Sequence, residues 1–205
     1  MGSIIKETMF AANPALKARK HSHAVHFYVD DSDLFEQLVP FIGAALGGGD
    51  SAIILATKSH RDELERRLQA LGFDTRNPRF RNRYLVFDAA ETLSKFMVEG
   101  VPDAAFFSQI MINALATAKV ASENARPRVV AFGEMGALLW AEGNTKGALK
   151  LESLWNELAH TSSFSRLCGY PVGDSPEHDQ VQNLSLICAE HTQAVFIPRP
   201  LQPLP

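Results

Sequence analysis

The stretch "RVVAFGEMGALLWAEGN", Arg128 to Asn144, places a carboxylate, Glu134, directly after an apolar β-branched run and directly before an apolar, helix-like segment that contains Trp140. An acid there suits holding a metal, activating a water or gripping a ligand. It equally suits capping the following helix, whose free N–H groups and dipole favour negative charge. A second polar pair, Glu152 and Asn156, is spaced four apart in "LESLWNEL" and so shares one helix face. Leu151, Leu154 and Trp155 beside it point to a core, so the pair is either ligand-facing at the core's edge or exposed beside the apolar stripe. Cys168, Cys188 and His191 are soft donors that suit zinc or another thiophilic ion. Their spacing is loose, and free cysteine is commonly a plain buried residue, so the sequence requires no metal or other cofactor and names none.

His23 and His26 lie three apart in a strand-like run and point to opposite or staggered faces. His60 and Arg61 open a helix just past a strand's carboxyl end, a position for either a ligand contact or a solvated helix start. Tyr28, Phe132, Trp140 and Tyr170 are candidate walls of an apolar pocket or ordinary core. The ligand-binding set is therefore His23, Tyr28, His60, Arg61, Glu134, Trp140, Glu152, Asn156 and Tyr170, with Cys168, Cys188 and His191 the weaker metal candidates. No catalytic triad is recognisable, and the chain reads as a non-enzyme.

Strand-like and helix-like patterns alternate to position these residues. "HAVHFYV" reads as a strand, and "DSDLFEQLVPFIGAALGGG" as a helix with an Asp/Ser start, a triple-glycine stop and a kink expected at Pro40. "SAIILAT" is a second strand. The helix "KSHRDELERRLQALGF" follows, with a Leu64, Leu68, Leu71 stripe and Gly72 as its C-terminal cap. "YLVFDA" is a third strand; "AETLSKFMVEG" comes next, then a long helix from Ala104 to about Ser122. "RVVAFGEM" is a fourth strand, "TKGALKLESLWNELAHT" an amphipathic helix, "FSRLCGYP" a fifth strand, "DQVQNLSLICAEHT" a short helix and "AVFIP" a sixth strand. Strands this apolar, alternating with helices, predict a mostly parallel sheet with helices on both faces, a three-layer α/β/α domain. Ligands in such sheets bind outside the carboxyl ends of the strands.

In a nucleotide-binding protein of this layout, the turn after the first strand carries GxxxxGK[ST] to wrap phosphates. Here it reads "YVDDSDLFEQ", with three aspartates and no glycine. A reworked phosphate site made from Lys58, His60 and Arg61 is the alternative that would keep a nucleotide-binding or ATPase-like enzyme. With 205 residues, 46% of them hydrophobic, the chain suits one domain. A net charge of −3 offers no field for nucleic acid. No unbroken apolar run reaches the length of a membrane span, and the start lacks a secretion signal, so a cytoplasmic location with reduced thiols is expected. Residues 1–21 read as a flexible basic arm, 22–198 as the domain and 199–205 as a proline-rich tail.

The order of motifs resembles the MEDS family, the DcmR-type sensory domain of methanogens and methylotrophs. The resemblance runs through "HAVHFY", "LVPFIGAALGGGDSAIILATKSHRDELERRLQALGFD", "FDAAETLSKFM", "PDAAFF", "VVAFGEMGALLWAEGNTKGALKLESLWNEL", "FSRLCGYP" and "ICAEHTQAVFIP", with the "GEM…LW…GN…ALKLESLWN" block the most specific. It implies a sensory domain of prokaryotic signal transduction that binds a small organic ligand, in proteins that also carry histidine kinase or DNA-binding modules. It also implies a degenerate RecA/KaiC-like core without the phosphate loop, in which Glu134 ends the strand that carries the metal-associated acid of active ATPases. Glu134, His23 and Glu152 would share one pocket. The chain is nearly all sensory domain, so the output passes to a partner, such as a histidine kinase or transcriptional regulator, or to self-association as a homo-oligomer. A pure protein-interaction module is the remaining alternative.

Overall fold

The strands are built from short β-branched and apolar runs whose alternate residues face opposite sides. In the computed structural model, which describes residues 22–172 and 178–196, they form one six-stranded sheet in which every pairing is parallel. The strands are β1 (His23–Tyr28), β2 (Ser51–Ala56), β3 (Tyr84–Asp88), β6 (Val129–Gly133), β7 (Ser165–Pro171) and β8 (Gln193–Phe196), ordered β3-β2-β6-β7-β1-β8. The expected basic arm and proline-rich tail lie outside the described residues.

Among the described residues seven α-helices connect the strands: α1 (Asp31–Gly47), α2 (Lys58–Ala70), α3 (Ala89–Ser94), α4 (Ala104–Ala121), α5 (Met135–Ala141), α6 (Thr145–Thr161) and α7 (His178–Ala189). Four start on side-chain caps, with Asp30, Asp88, Asp103 and Asn144 each accepting a first-turn N–H. α2 ends as predicted: Gly72 has φ +88°, Phe73 N–H donates to Leu68 O (3.0 Å) and Gly72 N–H to Gln69 O (2.9 Å), a Schellman closure. α1 continues as helix through the exposed Pro40, where the sequence predicts a kink.

The period of two divides the core. Ala52, Ile54, Val130 and Phe132 face α1 and α2, where Leu34, Leu38, Ile42, Leu64 and Leu68 cover them. Ile53, Leu55, Val129 and Ala131 face the layer of α3 to α6, against Phe107, Met111, Leu151 and Trp155. A third cluster lies on that side under α7, where Val25, Phe27, Cys168 and Tyr170 meet Leu184 and Ile187. This is the expected three-layer arrangement.

Two details depart from the sequence reading. "AETLSKFMVEG" divides into α3 and a small antiparallel hairpin, β4 (Met97–Val98) with β5 (Val101–Pro102). Its two turn residues, Glu99 (φ 49°) and Gly100 (φ 78°), are both left-handed, as a tight hairpin turn requires. α4 is long and apolar enough, by length and a mean hydropathy of 1.3, to cross a membrane. Here it lies on the sheet through Phe107, Met111, Ala114, Leu115 and Ala118, and Ser108, Gln109, Asn113 and Lys119 interrupt its apolar sequence.

Candidate functional site

Two polar clusters stand out. The first is at the carboxyl edge, where Glu134 follows β6 and its N–H extends the ladder to Leu55 O (3.0 Å). The side chain is 2% exposed and makes no capping bond to its own helix α5. It instead accepts the N–H of Thr57 (2.8 Å), the residue that starts α2 and itself offers no side-chain cap. Thus Glu134 does cap a helix, but the one entered from the neighbouring strand. Its other oxygen is bonded to His60 Nδ1, and His60 Nε2 reaches Asp31 Oδ1 (3.2 Å) at the start of α1.

The bond to Glu134 raises the His60 pKa above its usual value; burial opposes this and Asp31 adds to it. Tyr28 packs edge-on to His60, 6.4 Å between ring centroids. Its phenol is held well above the usual range by burial first and then by Glu134 and Asp31. Arg61 pairs with Asp88 (2.8 Å) and Lys58 with Asp62 (2.5 Å). Each cation of the alternative phosphate site is therefore already matched to a carboxylate.

The second cluster lies beneath the sheet, under α6 and α7. In "SRLCGYP" the period of two puts Arg166, Cys168 and Tyr170 on one face, and the β1–β7 register sets His23 beside Arg166. α6 brings Glu152 and Asn156 over this face, and the turn after α7 adds His191. Glu152 is 1% exposed; one of its oxygens accepts from Tyr170 OH (2.7 Å) and the other from Arg166 Nη2 (3.0 Å). The same Nη2 lies against His23 Nε2, and Arg166 Nε donates to Cys168 Sγ (3.2 Å). The guanidinium stacks on Trp155, 4.6 Å from the ring centroid.

Burial, then Arg166 and His191, hold the His23 pKa far below the usual imidazole range, and burial first holds His191 low as well. Burial pushes the Cys168 thiol well up despite Arg166, and pushes the Tyr170 phenol up too. The imidazoles are therefore neutral and the thiol protonated at neutral pH in this arrangement.

The structure thus separates residues that the resemblance grouped. Glu134, His60, Arg61 and Tyr28 belong to the carboxyl edge, whereas His23, Glu152, Asn156 and Tyr170 meet beneath the sheet. Trp140 is half-buried and edge-on to Tyr170 at 6.3 Å, so it belongs with the second group. The exposed alternative for Glu152 and Asn156 is overturned. Of the soft donors, Cys168 and His191 come together with His23 and Glu152, their ligand atoms all within 4.8 Å of one another; Cys188 is not in that group. Sequence reasoning missed Arg166, Asp31 and Thr57. The alternation within "SRLCGYP" was the signal for Arg166, but pairing Thr57 with Glu134 required the β2–β6 adjacency, which only the fold supplies.

The profile of the MEDS family, described as the methanogen/methylotroph, DcmR sensory domain, matches residues 22–186. A comparison with curated proteins finds no match. Among solved structures the chain is similar to an uncharacterized Pyrococcus horikoshii protein crystallised in complex with an unknown peptide, at 11% identity and TM-score 0.64, covering 91% of this chain and 81% of that one. It is also similar to a KaiC-like protein of Pyrococcus horikoshii OT3, at 11% identity and TM-score 0.56, covering 89% and 76%. These likenesses show a RecA/KaiC-like core.

Proposed function

The chain belongs to the MEDS family of sensory domains, and from that premise we propose that it is a non-catalytic sensor that binds a small organic molecule at the carboxyl edge of its sheet. The observation that carries this reading is the His60 ring, which joins a buried carboxylate, Glu134, to an exposed one, Asp31. A molecule that takes over either contact of that ring alters what holds the first turns of α1 and α2. Occupancy then becomes a change at two helix starts, a surface that a partner protein can read. With Glu134, Asp31 and Asp88 around it and Arg61 already paired, the edge favours a ligand that donates hydrogen bonds, such as a small alcohol or amine, over a phosphate. The partner is a histidine kinase or transcriptional regulator of the cytoplasm.

Thermal unfolding in the presence of small alcohols, amines and carboxylic acids tests this, because a ligand of the folded state raises Tm. A rise with donor-bearing compounds, lost in both Glu134→Gln and Asp31→Asn while each variant still unfolds in one cooperative transition, is expected. A rise unchanged in both variants, or none with any compound, overturns the assignment.

A further inference from the structure

We propose that His23, Glu152, Cys168 and His191 form a binding site for a thiophilic divalent metal of the zinc class, in which the Arg166 guanidinium holds the cation's place while the metal is absent. The site is separate from the carboxyl edge and does not rest on the sensory reading given to that edge.

Geometry is the first argument. Zinc bonds of about 2.0–2.3 Å in a tetrahedron place neighbouring ligand atoms roughly 3.3–3.6 Å apart. Glu152 Oε2 stands 3.3 Å from His23 Nε2, 3.6 Å from His191 Nε2 and 3.6 Å from Cys168 Sγ, and Cys168 Sγ is 3.6 Å from His23 Nε2. Four of the six edges of a tetrahedron are therefore at coordination spacing, and the other two lie within 4.8 Å.

The second argument is the direction of the lone pairs. A metal-bound histidine donates its other ring N–H to a carbonyl or carboxylate, which fixes the tautomer. Both histidines are arranged this way. His191 Nδ1 meets Ile187 O (2.6 Å), and His23 Nδ1 meets Asn156 Oδ1 (2.7 Å). The Asn156 amide cannot be reversed, because its Nδ2 donates to Glu190 O and Glu190 Oε2, each at 3.0 Å. Both Nε2 lone pairs therefore face inward. His191 Nε2, on a fully buried side chain, has no hydrogen-bond partner there.

The third argument is charge. Two neutral imidazoles, a carboxylate and a thiol converge on the cationic Arg166 Nη2, which bonds Glu152 and touches His23. A divalent ion takes that place when the Cys168 S–H proton leaves to solvent and a sulfur–metal bond forms. Glu152 and the thiolate then balance the ion, and Arg166 keeps its stacking on Trp155.

Cobalt(II) is the probe. The full chain, freed of metal with a chelator, is titrated with cobalt in buffer and then back-titrated with zinc. Expected are the intense visible bands of a tetrahedral ion at one equivalent per chain, a near-ultraviolet sulfur-to-cobalt band, and loss of both on adding zinc. Cys168→Ser should lose the sulfur band and His191→Gln should weaken binding at least tenfold, while Cys188→Ser titrates as the parent does. Arg166→Met removes the competing cation, so it should bind cobalt more tightly and depend on metal for its thermal stability. A parent chain without tetrahedral bands, or a sulfur band that survives Cys168→Ser and disappears in Cys188→Ser, overturns the site. Circular dichroism of each variant identifies any that fails to fold, and the parent titration decides the question by itself.

Discussion

At the residue scale, the buried hydrogen bond between Tyr170 and Glu152 depends on a missing side chain. A Cβ built on Gly136 would overlap the Tyr170 hydroxyl and stand 2.7 Å from Glu152 Oε1. In "GEMGALLW" this glycine therefore lets α5 approach the polar cluster. Gly136→Ala should force Tyr170 away and leave a buried carboxylate oxygen short of a donor, a loss of about 2–3 kcal/mol. In a Tyr170→Phe background the hydroxyl is already gone, so the same alanine should cost about 1 kcal/mol less. Urea unfolding of the four proteins measures this coupling, and strict additivity would show that the contact is not what excludes a side chain at position 136.

At the element scale, Asn144 does two jobs with one amide. Its oxygen caps α6 by accepting Gly147 N–H (2.9 Å), and its nitrogen donates to Gly100 O (2.7 Å) in the β4–β5 turn. Asn144→Ala should cost about 1–2 kcal/mol by removing both bonds. Asn144→Asp keeps the cap, adds charge favourable to the helix start and loses only the tie to the hairpin, so its loss should be clearly smaller. Equal losses in the two variants, measured by denaturant midpoint, would assign the stability to the hairpin contact alone. The long elements were legible because their patterns were local: "TKGALKLESLWNELAHT" carries its own cap and stripe, and "SAIILAT" its own apolar run. The β4–β5 hairpin was not legible, because two-residue strands have no measurable period and the turn signal was only "EG". The site was legible by residue type but not by grouping. Glu134 and His23 both read as functional, yet their assignment to separate clusters follows from the sheet order β3-β2-β6-β7-β1-β8, which no local pattern encodes.

At the scale of the whole molecule, two histidines outside the proposed metal site impose opposite pH dependences on stability. His26 is fully buried, and neither ring nitrogen has a hydrogen-bond partner. Burial lowers its pKa to about 4, with Asp33 opposing. The unfolded chain binds this proton from about pH 6.5 downward and the folded chain does not, so His26 removes stability as pH falls from 6.5 towards 4. Its effect at pH 5 is about 2 kcal/mol relative to pH 8. His60 has the opposite sign. Its pKa is raised by Glu134, so its contribution is complete below about 6.5 and fades as pH climbs through the folded value. Below pH 6.5 the two no longer compete, since His60 is protonated in both states. His26→Leu should therefore flatten the acid limb by one proton and leave the slope of the alkaline side unchanged. It should also gain stability at neutral pH by removing two unsatisfied ring nitrogens from the interior. Urea unfolding of chelator-treated parent and variant at pH 5, 6.5 and 8 separates the terms. An acid limb equally steep in both proteins would mean that His26 reaches solvent or a partner before the chain unfolds.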